Sequence, residues 1–136
     1  MKALTWWLRI VGTLYLLEGI GLTAMALVDP DRFAATWAVA DVGSIDALGV
    51  RAALIAGLPG VMTWVLLGAM LWIYSRAPAR SRVLVIVVAA WELLVWIPVD
   101  VVSTLQVFDG GRIVLSAIHA VIGVTGILVL RRLPTE

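Results

Sequence analysis

VLVIVVAAWELLVWIPVDVVSTLQVF, residues 83–108, is a run of branched and aromatic apolar side chains broken by only two charges, Glu92 and Asp100. At about 1.5 Å of rise per residue, such a run is long enough to cross a hydrocarbon core roughly 30 Å thick. Three more stretches read the same way, residues 4–28, 47–74 and 113–130. Four apolar runs with short connections predict an all-α fold, a transmembrane four-helix bundle in which residues 1–136 make a single membrane domain.

Composition agrees with that reading. The chain is 62% hydrophobic and 14% charged, with a mean hydropathy of +1.07, whereas soluble domains carry about a quarter charged residues. A net charge of +1 leaves no electrostatic footprint for nucleic acid. The absence of cysteine excludes disulfides, thiolate metal sites and iron–sulfur clusters, and a single histidine excludes a multi-histidine cage. Lys2 is the only lysine and stands at the end of the chain, so a buried Schiff-base lysine is excluded too. No metal and no cofactor are expected. What chemistry remains belongs to carboxylates, His119 and arginines, among seven tryptophans.

The connections carry the orientation. Lys2, the Arg76, Arg80 and Arg82 cluster, and the Arg131-Arg132 pair fall on one side of four spans, with Asp29, Asp31, Asp41, Asp46 and Asp109 against Arg32 and Arg112 on the other. The positive-inside rule then places both termini and the middle loop in the cytoplasm, in an inner-membrane, multi-pass arrangement. Trp6, Trp7, Trp72 and Tyr74 fall at the cytoplasmic interface and Trp37 at the outer one, as aromatic belts require. Asp29 before Pro30 reads as a helix N-cap with proline at the first helical position, and Phe33 and Trp37 share a face. A short interfacial helix between spans one and two follows. Asp109-Gly110-Gly111-Arg112 reads as a tight turn. Ala24-Met25-Ala26 has the look of a signal-peptide cleavage site, but Arg9 and Glu18 interrupt the apolar core that such a peptide needs, so the first run is read as a retained span.

Six ionisable residues sit inside the runs: Arg9, Glu18, Arg51, Glu92, Asp100 and His119. A charge at the bilayer centre costs about 2.5–3.5 kcal/mol on insertion scales, so each needs a partner, a wet cavity or a job. Counted from the cytoplasmic boundary at about 1.5 Å per residue, Glu18, Glu92 and His119 lie roughly 20, 14 and 17 Å deep, in one layer. Arg51 and Asp100 belong to an outer layer, as an ion pair or a shared ligand contact. On the third span Ala89, Glu92, Trp96 and Ser103 share a face, with Asp100 at its margin about 80° round from Glu92, and Pro98 should kink the helix between them. The fourth span collects Arg112, Ser116, His119, Gly123 and Gly126 on one face, and the second offers Gly49, Ala53, Gly57, Gly60, Trp64 and Gly68. Glycine stripes read most simply as packing seams, Arg9 as a snorkelling anchor, and Trp64, Trp91 and Trp96 as packing or lipid-facing residues.

Leu8-Arg9-Ile10-Val11-Gly12, then Tyr15, Glu18 and Gly19, then Leu48-Gly49-Val50-Arg51, the Arg76-Ala77-Pro78-Ala79-Arg80 loop and a histidine in the fourth span carry a resemblance. The chain resembles the small four-span DoxX-like membrane proteins, most of all their BphX-like branch. That resemblance implies a four-span membrane protein and, through the DoxX relatives, association with membrane redox assemblies; it implies no catalytic residues. Thr13 to Met25, around Glu18, also looks like the first span of small multidrug resistance transporters, but the later spans lack that family's Tyr-Ala-x-Trp pattern.

Two functions of different kind follow from the charges. One is a site for a lipophilic small molecule, such as a quinone, sterol, terpenoid or aromatic compound, with Glu18, Glu92, His119 and Asp100 as acid/base groups and Arg51, Trp64, Trp96, Ser103 and Ser116 lining it. Burial favours the neutral form of a carboxyl group, which can then donate a proton to an imidazole or a substrate. The other is a non-catalytic accessory subunit, or a homo-oligomer, whose polar faces meet partner helices; a small proton-coupled transporter ranks third. Inward charges favour the first and outward charges the second. Topology is testable at once: reporter fusions after Arg82 and Glu136 should report cytoplasm and fusions at Asp41 and Gly110 the outside, and any reversal removes the depth argument.

Overall fold

Helix boundaries in this chain follow its capping chemistry. In the computed structural model, which describes residues 1–38, 40, 42–106 and 110–132, α1 (Lys2–Val28) stops just before Asp29-Pro30, because proline disfavours a helical conformation in the residue before it. Asp29 Oδ1 then accepts the backbone N–H of Arg32 at 3.1 Å, and Pro30 opens the short helix α2 (Pro30–Ala38). Asp46 repeats the device at the start of α3 (Ala47–Tyr74), accepting the N–H of Gly49 at 2.7 Å. Both caps satisfy donors that have no partner within their own helix.

The third span is a composite. A 3-10 turn (Pro78–Ser81), in which the Ser81 hydroxyl donates to the Pro78 carbonyl at 2.7 Å, leads into α4 (Arg82–Trp91). A π-helical turn occupies Glu92–Trp96, and α5 (Ile97–Gln106) completes the rod. The last helix, α6, runs Gly110–Arg131. Gly110 to Arg112 are therefore already helical rather than part of a tight turn. Asp41, Phe108 and Asp109, which entered the sequence reading, lie outside the described residues.

The described residues form helices and no strand, and four stretches are long and apolar enough to cross a membrane: Lys2–Val28, Ala47–Tyr74, Pro78–Leu105 and Ile113–Arg131. Large apolar side chains point outward along all of them, among them Leu17, Ile55, Leu66, Leu94, Leu105 and Val121. Lipid is the medium that covers such a surface, and helices are what it admits, since each satisfies its backbone internally. The chain is a small multi-pass membrane protein.

Two compact units divide it, Gly12–Met70 and the combination of Met1–Val11 with Leu71–Glu136. Within Gly12–Met70, α2 is seated by its aromatic face. Phe33 and Trp37 stack with centroids 6.0 Å apart and planes 15° off parallel, and Phe33 is buried with Ala26 and Val61. A β-carbon on Gly57 would lie 2.9 Å from the Phe33 ring and 3.0 Å from Trp37, and one on Gly60 would lie 3.2 Å from Trp37. Those glycines are the socket for the interfacial helix. Gly68 serves α1 instead: a β-carbon there would meet the Gly12 carbonyl oxygen at 2.8 Å and the Leu16 nitrogen at 2.9 Å. Gly19 is as tight, 3.0 Å from the backbone nitrogen of Val65. Lipid tails give no hydrophobic drive to bring helices together, so close backbone approach of this kind holds them.

In the other unit α6 packs along α4, the π turn and α5. Leu4, Trp7, Leu8, Val11, Val85, Val88, Ala89 and Ile122 make the buried core. A β-carbon on Gly126 would meet Trp7 at 3.0 Å and Ala89 at 3.2 Å, so this one glycine admits both α1 and α4. Trp7 is a core residue and not a belt residue; its indole N–H donates to Thr125 Oγ1 at 3.0 Å, which is how a buried tryptophan satisfies its polar edge. Trp6 and Trp72 do lie exposed.

These contacts rank the glycines. Gly68→Ala pushes a methyl against backbone that cannot swing away and should destabilise by about 1–3 kcal/mol, whereas nothing lies within 4 Å of a β-carbon on Gly21. Thermal unfolding in lipid nanodiscs should show a lowered midpoint for Gly68→Ala and none for Gly21→Ala.

Candidate functional site

The π turn decides the site. Ile97 donates its backbone N–H to the Glu92 carbonyl, five residues back, where a regular helix would bond four back. Pro98, which has no N–H and whose ring crowds the carbonyl four positions earlier, sits immediately after this wide turn. The kink expected at Pro98 is thus accommodated by widening the preceding turn. A regular helix would set Asp100 about 80° round from Glu92; the π turn absorbs one residue, subtracts about 100°, and leaves the two within about 20° of each other.

Asp100 consequently joins the buried group and does not stand in a separate outer layer. One oxygen of Glu92 and Nδ1 of His119 share a hydrogen bond, and Asp100 Oδ2 lies 3.7 Å from Nε2 on the other side of the same imidazole. Glu92 and Asp100 are 0% and 1% exposed and His119 7%, so this arrangement is sealed from its surroundings. Trp96 stacks on the ring, with centroids 5.5 Å apart and planes 13° off parallel. Its π face lies where an imidazolium would be stabilised.

Each side chain reaches this position for a local reason. α6 comes close because Gly123 faces Leu93 of the π turn, where a β-carbon would lie 2.5 Å from the leucine side chain. His119 is four residues earlier on α6, on the same face one turn away, and so meets the third span where Glu92 and Asp100 emerge. The Thr104 hydroxyl donates to the Asp100 carbonyl at 2.7 Å, occupying a backbone acceptor in α5. Ser103 and Ser116 are half-buried one turn from Asp100 and His119 on their respective helices.

The remaining predicted site residues lie in the Gly12–Met70 unit. Glu18 on α1 and Trp64 on α3 are half-buried, and Arg51 is exposed in the first turns of α3. Sequence reasoning thus named all four members of the cluster, the buried Glu92, Asp100 and His119 and the half-buried Trp96, but set Asp100 in another layer. The signal that would have corrected this is the proline two residues after Trp96, taken together with the eight-residue spacing of the two carboxylates.

Chemically, an imidazole between two carboxyl groups has a proton partner on the Glu92 side and a carboxyl within 3.7 Å on the Asp100 side. Imidazolium between two carboxylates carries one net negative charge, and one further proton neutralises the array. Opposite charge close at hand lowers the cost of holding such groups in lipid. Among the described residues no group of three histidine, cysteine or acidic side chains has the geometry of a metal site. Comparison of the chain with protein-family models, with curated proteins and with solved structures found no match.

A phase argument predicts two opposite outcomes on this helix. Inserting one alanine between Val99 and Asp100 turns the carboxylate by about 100° away from His119. Deleting Leu94, whose side chain is exposed, removes the extra residue of the wide turn and keeps Asp100 on the face of Glu92. His119 is the only histidine, so nitrogen-15 NMR of histidine-labelled protein reads both: the Nε2 resonance should shift in the insertion and stay within the wild-type range in the deletion.

Proposed function

We propose that this membrane protein binds a lipophilic small molecule and moves a proton on it, with Glu92, His119 and Asp100 as the acid/base array. The observation that carries the reading is the two-sided engagement of one buried imidazole inside helices that face lipid. A proton received at one ring nitrogen can be released from the other, which is the property required of a general acid/base relay. Trp96 contributes a flat aromatic surface beside the ring, suited to an aromatic or polyene ligand as well as to a developing cation. Quinones, sterols, terpenoids and aromatic compounds reach such a site through the bilayer, and isomerisation, cyclisation or epoxide opening are the reactions a neutral carboxylic acid next to an imidazole can drive. Ser103 and Ser116 belong to this proposal as lining residues.

The accessory-subunit reading fares less well for these charges, because Glu92, Asp100 and His119 are buried in the chain and not offered to partner helices. A DoxX-like or BphX-like affiliation, resting on Leu8 to Gly12, Leu48 to Arg51 and the Arg76 to Arg80 loop, is compatible with either. The two-sided imidazole also favours a second reading, proton-coupled transport, in which the same relay passes protons through the membrane.

Native mass spectrometry of the gently extracted protein is the deciding experiment. Wild type should carry a small lipophilic molecule that Glu92→Gln and His119→Gln lose, with thermal midpoints that stay near wild type because glutamine keeps hydrogen-bonding capacity at both positions. Retained ligand with a midpoint lowered by the equivalent of about 3–5 kcal/mol, the usual cost of breaking a buried pair, would show the array to be a structural clasp. Proteoliposomes loaded with a pH-sensitive dye separate transport: proton flux present in wild type and abolished in Glu92→Gln would move the assignment to the second reading.

A further inference from the structure

The acid/base array lies unequally between the two ends of its spans. Asp100 is about 9 Å along α5 from Gln106, whereas Glu92 is about 15 Å along the third span from Arg82, at about 1.5 Å per residue. The two intervals differ in chemistry as well as in length. Residues 83–91 carry no charged, hydroxyl or amide side chain, and residues 120–130 carry only the hydroxyl of Thr125. That hydroxyl accepts the Trp7 indole N–H and donates to the Val121 carbonyl. Trp7 fills the space over Gly126, and Val85, Val88, Ala89 and Ile122 are buried as well. A proton leaving the array for the Arg82 end has no polar side chain to follow.

The opposite direction is polar. Ser103 follows Asp100 by three residues and Ser116 precedes His119 by three, so each lies one turn from the array on the face that carries its acid or base. α5 and α6 pack against each other, and both serines are half-buried along that seam. Hydroxyls in a helix can bond the carbonyl four residues back, and Thr23, Thr63, Thr104 and Thr125 do so. Among the described residues Ser103 and Ser116 make no such bond. A hydroxyl in that state at membrane depth is unfavourable unless water meets it.

We propose that the array exchanges protons with water at one end only, through the seam between α5 and α6, with Ser103 and Ser116 as its hydroxyl relays. Water enters at the end marked by Gln106 and Gly110 and reaches the two serines. A serine hydroxyl there accepts a proton from water and releases its own toward Asp100, which stands on the Nε2 side of His119; the hydroxyl is left unchanged. This route rests on the acid/base reading of the array and narrows it. Protons used on a ligand return to one face of the membrane, whereas transport needs a path to both.

The chain has no cysteine, so single cysteines report water along the spans: the thiolate is the reacting form, and an apolar setting suppresses it. Full-length variants are treated with a charged, membrane-impermeant methanethiosulfonate in spheroplasts and in inverted vesicles, which presents the reagent to one face at a time. Ser103→Cys and Ser116→Cys should react about tenfold faster than Val102→Cys and Ala117→Cys, their exposed neighbours at the same depth. They should do so only from the face that carries Gly110. Val88→Cys, in the apolar half, should react from neither face. The relay role has its own readout: Ser103→Val combined with Ser116→Val should slow deuterium exchange of the His119 ring protons about a hundredfold, the lower end of what a positioned proton-transfer group contributes. Cysteines at 103 and 116 that react no faster than their neighbours, labelling of Val88→Cys from the opposite face, or unchanged exchange in the double valine variant would each overturn the route. None of these measurements needs a bound ligand, so loss of the acid/base reading, judged by mass spectrometry, is a separate result from loss of the route.

Discussion

Charge inside lipid is the constraint on which the rest of this structure turns. An isolated imidazolium or carboxylate at membrane depth is unfavourable by several kcal/mol, and the third and fourth spans carry three such groups, Glu92, Asp100 and His119. They are tolerated because they meet: Glu92 and Asp100 flank the two nitrogens of His119, and Trp96 covers the ring. That meeting imposes demands on the backbone. The third span must present two carboxylates eight residues apart on one face, which a regular helix does not do, and a π turn supplies the missing phase. The fourth span must come within side-chain reach, which the absence of a β-carbon at Gly123 allows. Turn, glycine and ion cluster form one dependent set.

Packing outside that set follows a simpler logic. Without a solvent that expels apolar surface, membrane helices are held by close contact, and the small residues here are placed where contact is closest. Gly57 and Gly60 receive the Phe33–Trp37 stack of the interfacial helix, Gly68 receives the backbone of α1, and Gly126 receives Trp7 and Ala89. Gly21, by contrast, has open space. A glycine stripe is thus a set of distinct sockets, each with its own occupant.

Two different solutions to buried or half-buried charge coexist in the unit formed by Met1–Val11 and Leu71–Glu136. His119 lies between two carboxyl groups in a buried interior. Arg9, near a span end, lies beside the Trp6 and Trp72 rings and donates to Ser75 Oγ.

Four spans, the interfacial helix after Asp29-Pro30 and the candidate titratable groups were legible in the sequence, because run length, capping residues and the cost of charge in lipid are local or one-dimensional properties. Trp7 was not legible as a core residue, since an aromatic near a span end is equally suited to the belt until its Thr125 partner is known. Nor was the place of Asp100. Phase along a helix is cumulative, so one wide turn between Glu92 and Asp100 rotates everything beyond it. The sequence by itself determined that a carboxylate ladder, a tryptophan and a lone histidine lie at membrane depth. Only the tertiary structure decided that both carboxylates address the same ring, because that depends on a backbone register shift near Pro98 and on how closely a glycine on another helix lets His119 approach.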